Sequence, residues 1–309
     1  MNIFVTGASG LVGSAFGRAA VRRGHRVVGV VGSFQEAIAG VTTILRVDLT
    51  DEAATTSAVL DAFPDAIVNC AAVSVPEQCE AQPAISDVLN VELPARLARL
   101  AHHLSARLIH LSSEQVFDGA KDVPYSVDDP VAPINRYGRQ KVASEGAVSQ
   151  IMANRAVTLR IPLLMGNSVT GTRSNHERLF ADWAAGRTPS LFTDEIRQTC
   201  TAENVAEVML ELCERNDVGG VYHWAGAEPS SRYALGVGVR EYFKLSERQA
   251  PLAAVARADV PELARRRQAC LKLAIGPLAA KLKTRPQSLS EQLAELKVPA
   301  PGRAWYFSA

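Results

Sequence analysis

Three side chains of this 309-residue chain have types and spacing that could do chemistry together: Tyr137, Lys141 four residues on, and Ser113 upstream. At i and i+4 on a helix, two side chains lie on one face, one above the other. A phenol ordinarily titrates at about 10, and an ammonium beside it favours the phenolate, which brings proton transfer within reach near neutrality. Such a pair can give a proton to a carbonyl oxygen, and a serine hydroxyl can hold the same oxygen. Each feature alone has an ordinary meaning too: Tyr-x-x-x-Lys as surface decoration, and a serine as a turn cap. The elements that would bring the three together must decide.

Those elements begin at the first residue. Residues 1–6 read as an apolar strand that runs into glycines at 7, 10 and 13, with an apolar-periodic helix over 11–23. A strand turning sharply into a helix aims unpaired N–H groups and the positive dipole end at one point, an anion site that glycine opens to close approach. The spacing is GxxGxxG and not the usual GxGxxG, so the loop by itself is equally a bare tight connection. A second strand covers 25–31 and ends at Gly32 and Ser33. A third covers 44–47 and is closed by Asp48 and Leu49, with Thr50 placed to cap a helix over 51–63. A fourth spans 65–72 and ends in Cys70, Ala71 and Ala72. Helical pattern fills 83–104, a fifth strand covers 107–111 and leads to Ser112 and Ser113, and a helix from Tyr137 to about 152 precedes a sixth strand, 157–161, stopped by Pro162. This rhythm predicts an α/β fold with a doubly wound, Rossmann-type parallel sheet and helices on both faces. Gly7, Asp48, Ala71, Ser113 and Pro162 fall at strand carboxyl ends, where such sheets bind ligands, so one cleft is implied.

Beyond Pro162 the alternation lapses. Helices are expected near 175–186 and 203–215, a strand at 220–224 could rejoin the sheet, and Ser288 with Glu291 reads as a capping box. We expect a dinucleotide-binding domain over 1–165 with a returning segment near 196–225. A smaller, interwoven α/β substrate domain would occupy 166–309.

Composition narrows the function classes. The chain is 47% hydrophobic and 21% charged, an ordinary globule. A formal net charge of +1 makes no electrostatic case for nucleic acid or an acidic membrane. The five cysteines are scattered with no C-x-x-C, which argues against a disulfide framework and zinc and suits a reducing compartment. With no apolar run of membrane-spanning length and a strand starting almost at Met1, a cytoplasmic protein is expected.

Taken jointly, residues 6–13, Asp48 with Leu49, 69–72, 112–119 and Tyr137-x-x-x-Lys141 resemble the extended branch of the short-chain dehydrogenase/reductase superfamily, in order and spacing. The resemblance implies that Tyr137 is the acid/base. Lys141 binds the nicotinamide ribose and tunes Tyr137, and Ser113 polarises the carbonyl. It further implies a dinucleotide along Gly7, Ser9, Gly10, Leu11, Val12 and Gly13, with Ser33, Asp48 and Leu49 at the adenosine and Cys70, Ala71, Ala72 and Pro162 along its path. Within the branch, 112–119 looks most like the dTDP-4-dehydrorhamnose reductases, whose relatives include a regulatory β-subunit of methionine adenosyltransferase. The expected activity is reduction of a carbonyl, the 4-keto group of a nucleotide-linked deoxysugar. The alternatives are a non-catalytic NADP-binding subunit or an epimerase or dehydratase using Glu114. No acid stands at Val30, Val31, Gly32 or Ser33 to receive the free ribose hydroxyls of NAD, which leans toward NADP(H), although no arginine is adjacent as a clamp. Arg197 falls where extended members place a diphosphate-binding arginine, and Arg266 with Arg267 is the candidate for a second anion contact to the substrate. The chain departs from the reductases at 161–165, where an aromatic residue is missing, and at Arg266 and Arg267, where they carry Arg-Pro. No His/Asp/Glu grouping has metal spacing, and a homodimer is expected by analogy alone.

Overall fold

The computed structural model describes residues 1–308. Six strands and six helices build the site-bearing half: β1 (Asn2–Thr6), α1 (Leu11–Arg22), β2 (Arg26–Val31), β3 (Thr43–Arg46), α2 (Glu52–Ala62), β4 (Ala66–Asn69), α3 (Pro76–Ala81), α4 (Pro83–Asp87), α5 (Leu93–Leu104), β5 (Arg107–Ser113), α6 (Arg136–Met152) and β6 (Ala156–Ile161). Gly220–His223 rejoins the sheet beside β6, giving seven strands in the order β3, β2, β1, β4, β5, β6 and Gly220–His223. All neighbours are parallel. The chain winds outward from β1 to β3 on one side and from β4 onward on the other, so the switch point lies between β1 and β4, where doubly wound sheets bind ligands.

Alternation along β1 shows why both faces are covered. Ile3 and Val5 pack with Phe16, Val205, Met209 and Leu212 on one face, and Phe4 packs with Val59, Leu97, Val148 and Met152 on the other. A strand buried on both faces reads as a continuous apolar run, as residues 2–6 do. A third cluster, centred on Phe180, Trp183, Leu235, Val239 and Phe243, fills the later half of the chain.

Local differences from the sequence reading have physical reasons. Asp51, not Thr50, caps α2: its carboxylate accepts from Ala54 N–H at 2.9 Å, while the Thr50 hydroxyl turns back to Asp48 at 2.7 Å. A carboxylate is the stronger acceptor at an N-cap. The helical stretch expected over 83–104 is preceded by α3 and carries a π-helical turn at Val88–Glu92. The capping box at Ser288 and Glu291 forms and opens Leu289–Ala294. Among the described residues, no helix is long and apolar enough to cross a membrane, and no group of three or more His, Cys, Asp or Glu is placed to hold a metal ion.

Candidate active site

The glycine turn is built for close approach. Gly7 has φ +65°, and a Cβ there would stand 2.9 Å from Ala71 N. Ala8 N–H donates to Val30 O at 3.0 Å, which ties the turn to β2. At the start of α1, Gly10 supplies no side-chain cap, so the helix's first N–H groups stay available to an anion. A cleft of about 520 Å³ opens there. Gly7, Ser9 and Gly10 line it at one end, Ser33, Asp48 and Leu49 at the other, and Cys70, Ala71 and Ala72 between. An uncapped helix start, a backbone cradle that a Cβ would fill and a long cleft fit a dinucleotide. Leu11, Val12 and Gly13 form the first turn of α1, directly after the loop. Pro162 follows the carboxyl end of β6, buried.

Two arginines missed by the sequence reading also line this cleft, Arg46 and Arg173. The absence of a basic neighbour beside Ser33 is thereby corrected. Parallel pairing sets Arg46 opposite Val31 at the strand end. Its guanidinium donates to Gln35 O at 2.9 Å. Among the described residues Arg46 takes part in no ion pair. The signal was available only to a reader who paired β2 with β3 before looking for bases.

Ser113, Tyr137 and Lys141 are brought together by β5 and α6. Asn135 caps α6 by accepting from Gly138 N–H at 2.8 Å, and its amide donates to Gln115 Oε1 at 2.8 Å, so the helix start is fastened to the turn after Ser113. Gly138 makes the approach possible, because a Cβ there would lie 2.2 Å from Gln115 O. Tyr137 and Ser113 are each 7% exposed and Lys141 3%. Ser113 Oγ accepts from Gln115 N–H at 3.2 Å. Lys141 Nζ donates to Leu111 O at 2.9 Å and stands 5.7 Å from the centre of the Tyr137 ring.

Burial dominates the electrostatics. It pushes the Tyr137 phenol above its ordinary value; a hydrogen bond with Ser113 opposes this, and Cys79 and Glu114 add to it. The same desolvation lowers Lys141 to about 8 against the pull of Glu145, Cys79 and Cys70. The sequence expectation that Lys141 draws the phenol toward neutrality therefore gives way here. The ammonium is itself desolvated and bonded to a carbonyl, and the Tyr137 hydroxyl keeps its proton.

Behind this set, Arg160 clamps Glu145 through two hydrogen bonds of 2.9 and 2.7 Å, stacks on Phe117 at 5.1 Å, and meets His223. Ser112 donates to the same carboxylate. On the other side lies a cluster of charges. Glu114 pairs with Arg197 at 3.4 Å, and Glu195 meets Arg197, Arg267 and Arg232 at 3.2, 3.7 and 3.9 Å. Glu114 accepts from Leu163 N–H at 3.2 Å. Burial raises Glu114 to about 7 despite Arg197. Arg197 is thus held inside a salt-bridged cluster and not presented as a free guanidinium. Of the pair Arg266 and Arg267, Arg267 joins the cluster while Arg266 is exposed. Glu195 and Arg232 had no motif to mark them.

A seven-stranded parallel sheet wound about a switch point, with a glycine turn and a Ser–Tyr–Lys set at its carboxyl edge, defines an extended short-chain dehydrogenase/reductase. The chain belongs to the family described as RmlD substrate binding domain, which matches residues 1–297. It is similar to the probable low-salt glycan biosynthesis reductase Agl14 of Haloferax volcanii, with 35% identity over 232 residues, 73% of this chain and 74% of that protein. It is also similar to methionine adenosyltransferase 2 subunit beta of Xenopus laevis, with 33% identity over 247 residues, 78% of this chain and 72% of that protein. Among solved structures, dTDP-4-dehydrorhamnose reductase from Bacillus anthracis in complex with NADP shares the fold at a TM-score of 0.79 and 19% identity, over 94% of this chain and 96% of that one.

Proposed function

We propose that the chain is an NADP(H)-dependent reductase acting on a keto group of a nucleotide-linked sugar, with the 4-keto group of a deoxysugar as the favoured case. The observation that carries the reading is the intact, buried Ser113, Tyr137 and Lys141 set, with Lys141 near enough to the cleft-lining Cys70 for its charge to act on that thiol. The bound nicotinamide supplies hydride to the carbonyl carbon. Tyr137, protonated at neutral pH, gives its proton to the carbonyl oxygen, and Ser113 Oγ–H holds that oxygen in place. Lys141 spends one N–H on Leu111 O and keeps two for ribose hydroxyls. The dinucleotide pyrophosphate lies on the Gly7–Gly10 turn, and the adenosine lies against Ser33, Asp48 and Leu49. No carboxylate stands at the end of β2 over residues 30–33, and Arg46 with Ser33 suits a 2′-phosphate, so NADP(H) is favoured over NAD(H). The substrate's charged groups face the side where Glu114, Arg197, Arg232 and Arg267 gather. A nucleotide-sugar substrate and a homodimer complete the reading.

One observation favours a second reading. Beside the reductase, the similarity to methionine adenosyltransferase 2 subunit beta makes a non-catalytic NADP-binding subunit the rival. Oxidation of NADPH at 340 nm against a panel of keto-sugar nucleotides separates the two. Turnover that collapses in Tyr137→Phe supports the reductase. Tight NADPH binding with no turnover on the whole panel supports the subunit, and unchanged turnover in Tyr137→Phe removes the acid role.

A further inference from the structure

A line of hydrogen bonds runs from the floor of the cleft to the helix of Lys141 with each donor pointing the same way. Ala71 N–H, at the cleft floor, donates to Thr6 Oγ1 at 3.2 Å. With one lone pair so engaged, the Thr6 hydroxyl donates to Asn69 Oδ1 at 2.6 Å. That contact orients the amide, and Asn69 Nδ2–H then donates to His110 Nδ1 at 3.2 Å. A ring nitrogen that accepts carries no proton, so the proton of the neutral imidazole sits on Nε2, 3.0 Å from Ser144 Oγ. The Ser144 hydroxyl ends the line by donating to Lys141 O at 2.9 Å. The register explains the alignment: Thr6 pairs with Asn69 and Asn69 with His110, so the three side chains form one row across β1, β4 and β5. Thr6, Asn69, His110 and Ser144 are all at most 2% exposed. Burial holds the His110 pKa well below its ordinary value, with the Lys141 ammonium adding to it, in keeping with a neutral ring.

We infer that His110, fixed as its Nε2–H tautomer, is a positioning residue that fastens the turn of α6 carrying Lys141 to the backbone lining the dinucleotide cleft. A hydrophobic residue of the same volume would fill the space but would cut the line on both sides, leaving Asn69 and Ser144 buried without their partners. The inference rests on the cleft taking a nicotinamide dinucleotide and on Lys141 serving it. Its consequence is that the spacing between bound dinucleotide and Lys141 depends on a polar row across three strands, and not only on packing of α6.

The test joins a spectrum to kinetics. In full-length protein at pH 7, nitrogen-15 NMR of the imidazoles reads the tautomer of His110 directly; a neutral Nε2–H ring is expected. An Nδ1–H or doubly protonated ring overturns the inference, whatever the enzyme does. His110→Leu removes acceptor and donor, and His110→Gln, whose amide holds one of each, restores them. Expected for His110→Leu is a fall in kcat of about tenfold with sugar KM unchanged, from loss of hydrogen bonds each contributing on the order of 1 kcal/mol, and recovery to within about threefold in His110→Gln. Ser144→Ala cuts the last two links, from His110 and to Lys141 O, and serves if the leucine variant does not fold; wild-type kcat in it overturns the inference. Should the wild type turn over no sugar, the NADPH dissociation constant carries the same comparison. Failure of the reductase reading alone is then distinguished from failure of this one, and a wild type that binds no NADPH removes both.

Discussion

Replacing Arg46 by alanine tests the cofactor assignment most directly. Arg46 lines the cleft together with Ser33; its guanidinium holds only the Gln35 carbonyl at 2.9 Å and has no carboxylate partner among the described residues. A charge-assisted hydrogen bond to a 2′-phosphate contributes about 1.5–3 kcal/mol, which is about 10- to 100-fold in affinity. Arg46→Ala is therefore expected to weaken NADPH by that factor and leave NADH within about twofold. Dissociation constants for both dinucleotides, measured by fluorescence titration in the wild type and variant, check it. Because the site is open to water, the NADPH advantage should also shrink as salt rises and the screening length falls from about 10 Å at 0.1 M to about 3 Å at 1 M. Lysine at the same position keeps the charge without the planar fork and should recover part of the loss. The Gln35 bond provides the control. If Arg46 acts only by holding the loop after β2, both dinucleotides weaken equally, and that outcome refutes the assignment, as does a ratio that does not move.

Further expectations follow from burial and packing. Lys141 is lowered to about 8, so its ammonium is lost as the pH rises through that value and kcat should fall there. A kcat profile flat to about pH 10, near the ordinary lysine value, would count against its role. Glu114, raised from 4.5 to about 7, binds its proton more tightly when folded, so its contribution to stability is full below about pH 4.5 and lost by about pH 7. Glu114→Gln lacks that loss and should gain roughly 3 kcal/mol on the wild type between about pH 4 and pH 8, read by urea unfolding at each pH. Gly13→Ala places a Cβ 2.3 Å from Gly7 O, so the turn must open. A stability cost of about 1–3 kcal/mol and a clear loss of NADPH affinity are expected by thermal melting and titration. Arg160→Met strips the buried Glu145 of its bidentate partner, and chemical denaturation should show a loss of about 3–5 kcal/mol.

Much of this architecture could be read along the chain because the relevant signals are local. Apolar runs of strand length, glycines at 7, 10 and 13, and a tyrosine and lysine one helical turn apart are short-range patterns. Backbone sterics and periodicity convert such patterns into elements with little help from outside. Even the rejoining strand at Gly220–His223 showed as an isolated apolar run. The choice of Asp51 over Thr50 as cap was less legible, since adjacent residues can both cap and the loop geometry after Asp48 decides between them.

Chemistry that depends on adjacency between strands lay beyond that reading. Nothing near Ser33 in sequence is basic, yet parallel pairing of β2 with β3 sets Arg46 at the same strand end. Arg197 could be read as a free guanidinium until Ile196–Arg197 paired with Ser230–Ser231 and Cys270–Leu271, which gathered Arg232, Arg267 and Glu195 around it. The spacing of Tyr137 and Lys141 told which face they share but not that both would be stripped of water, and burial reverses the expected direction for the phenol. By itself the sequence determined the order of elements, the glycine turn and the identities of Ser113, Tyr137 and Lys141, because these rest on local backbone preference and helical spacing. Tertiary structure alone decided which arginine shares the cleft with Ser33, which is held inside a salt-bridged cluster, and which groups burial shifts from their ordinary proton affinity. Distance between remote segments and exclusion of water exist only once the sheet is assembled.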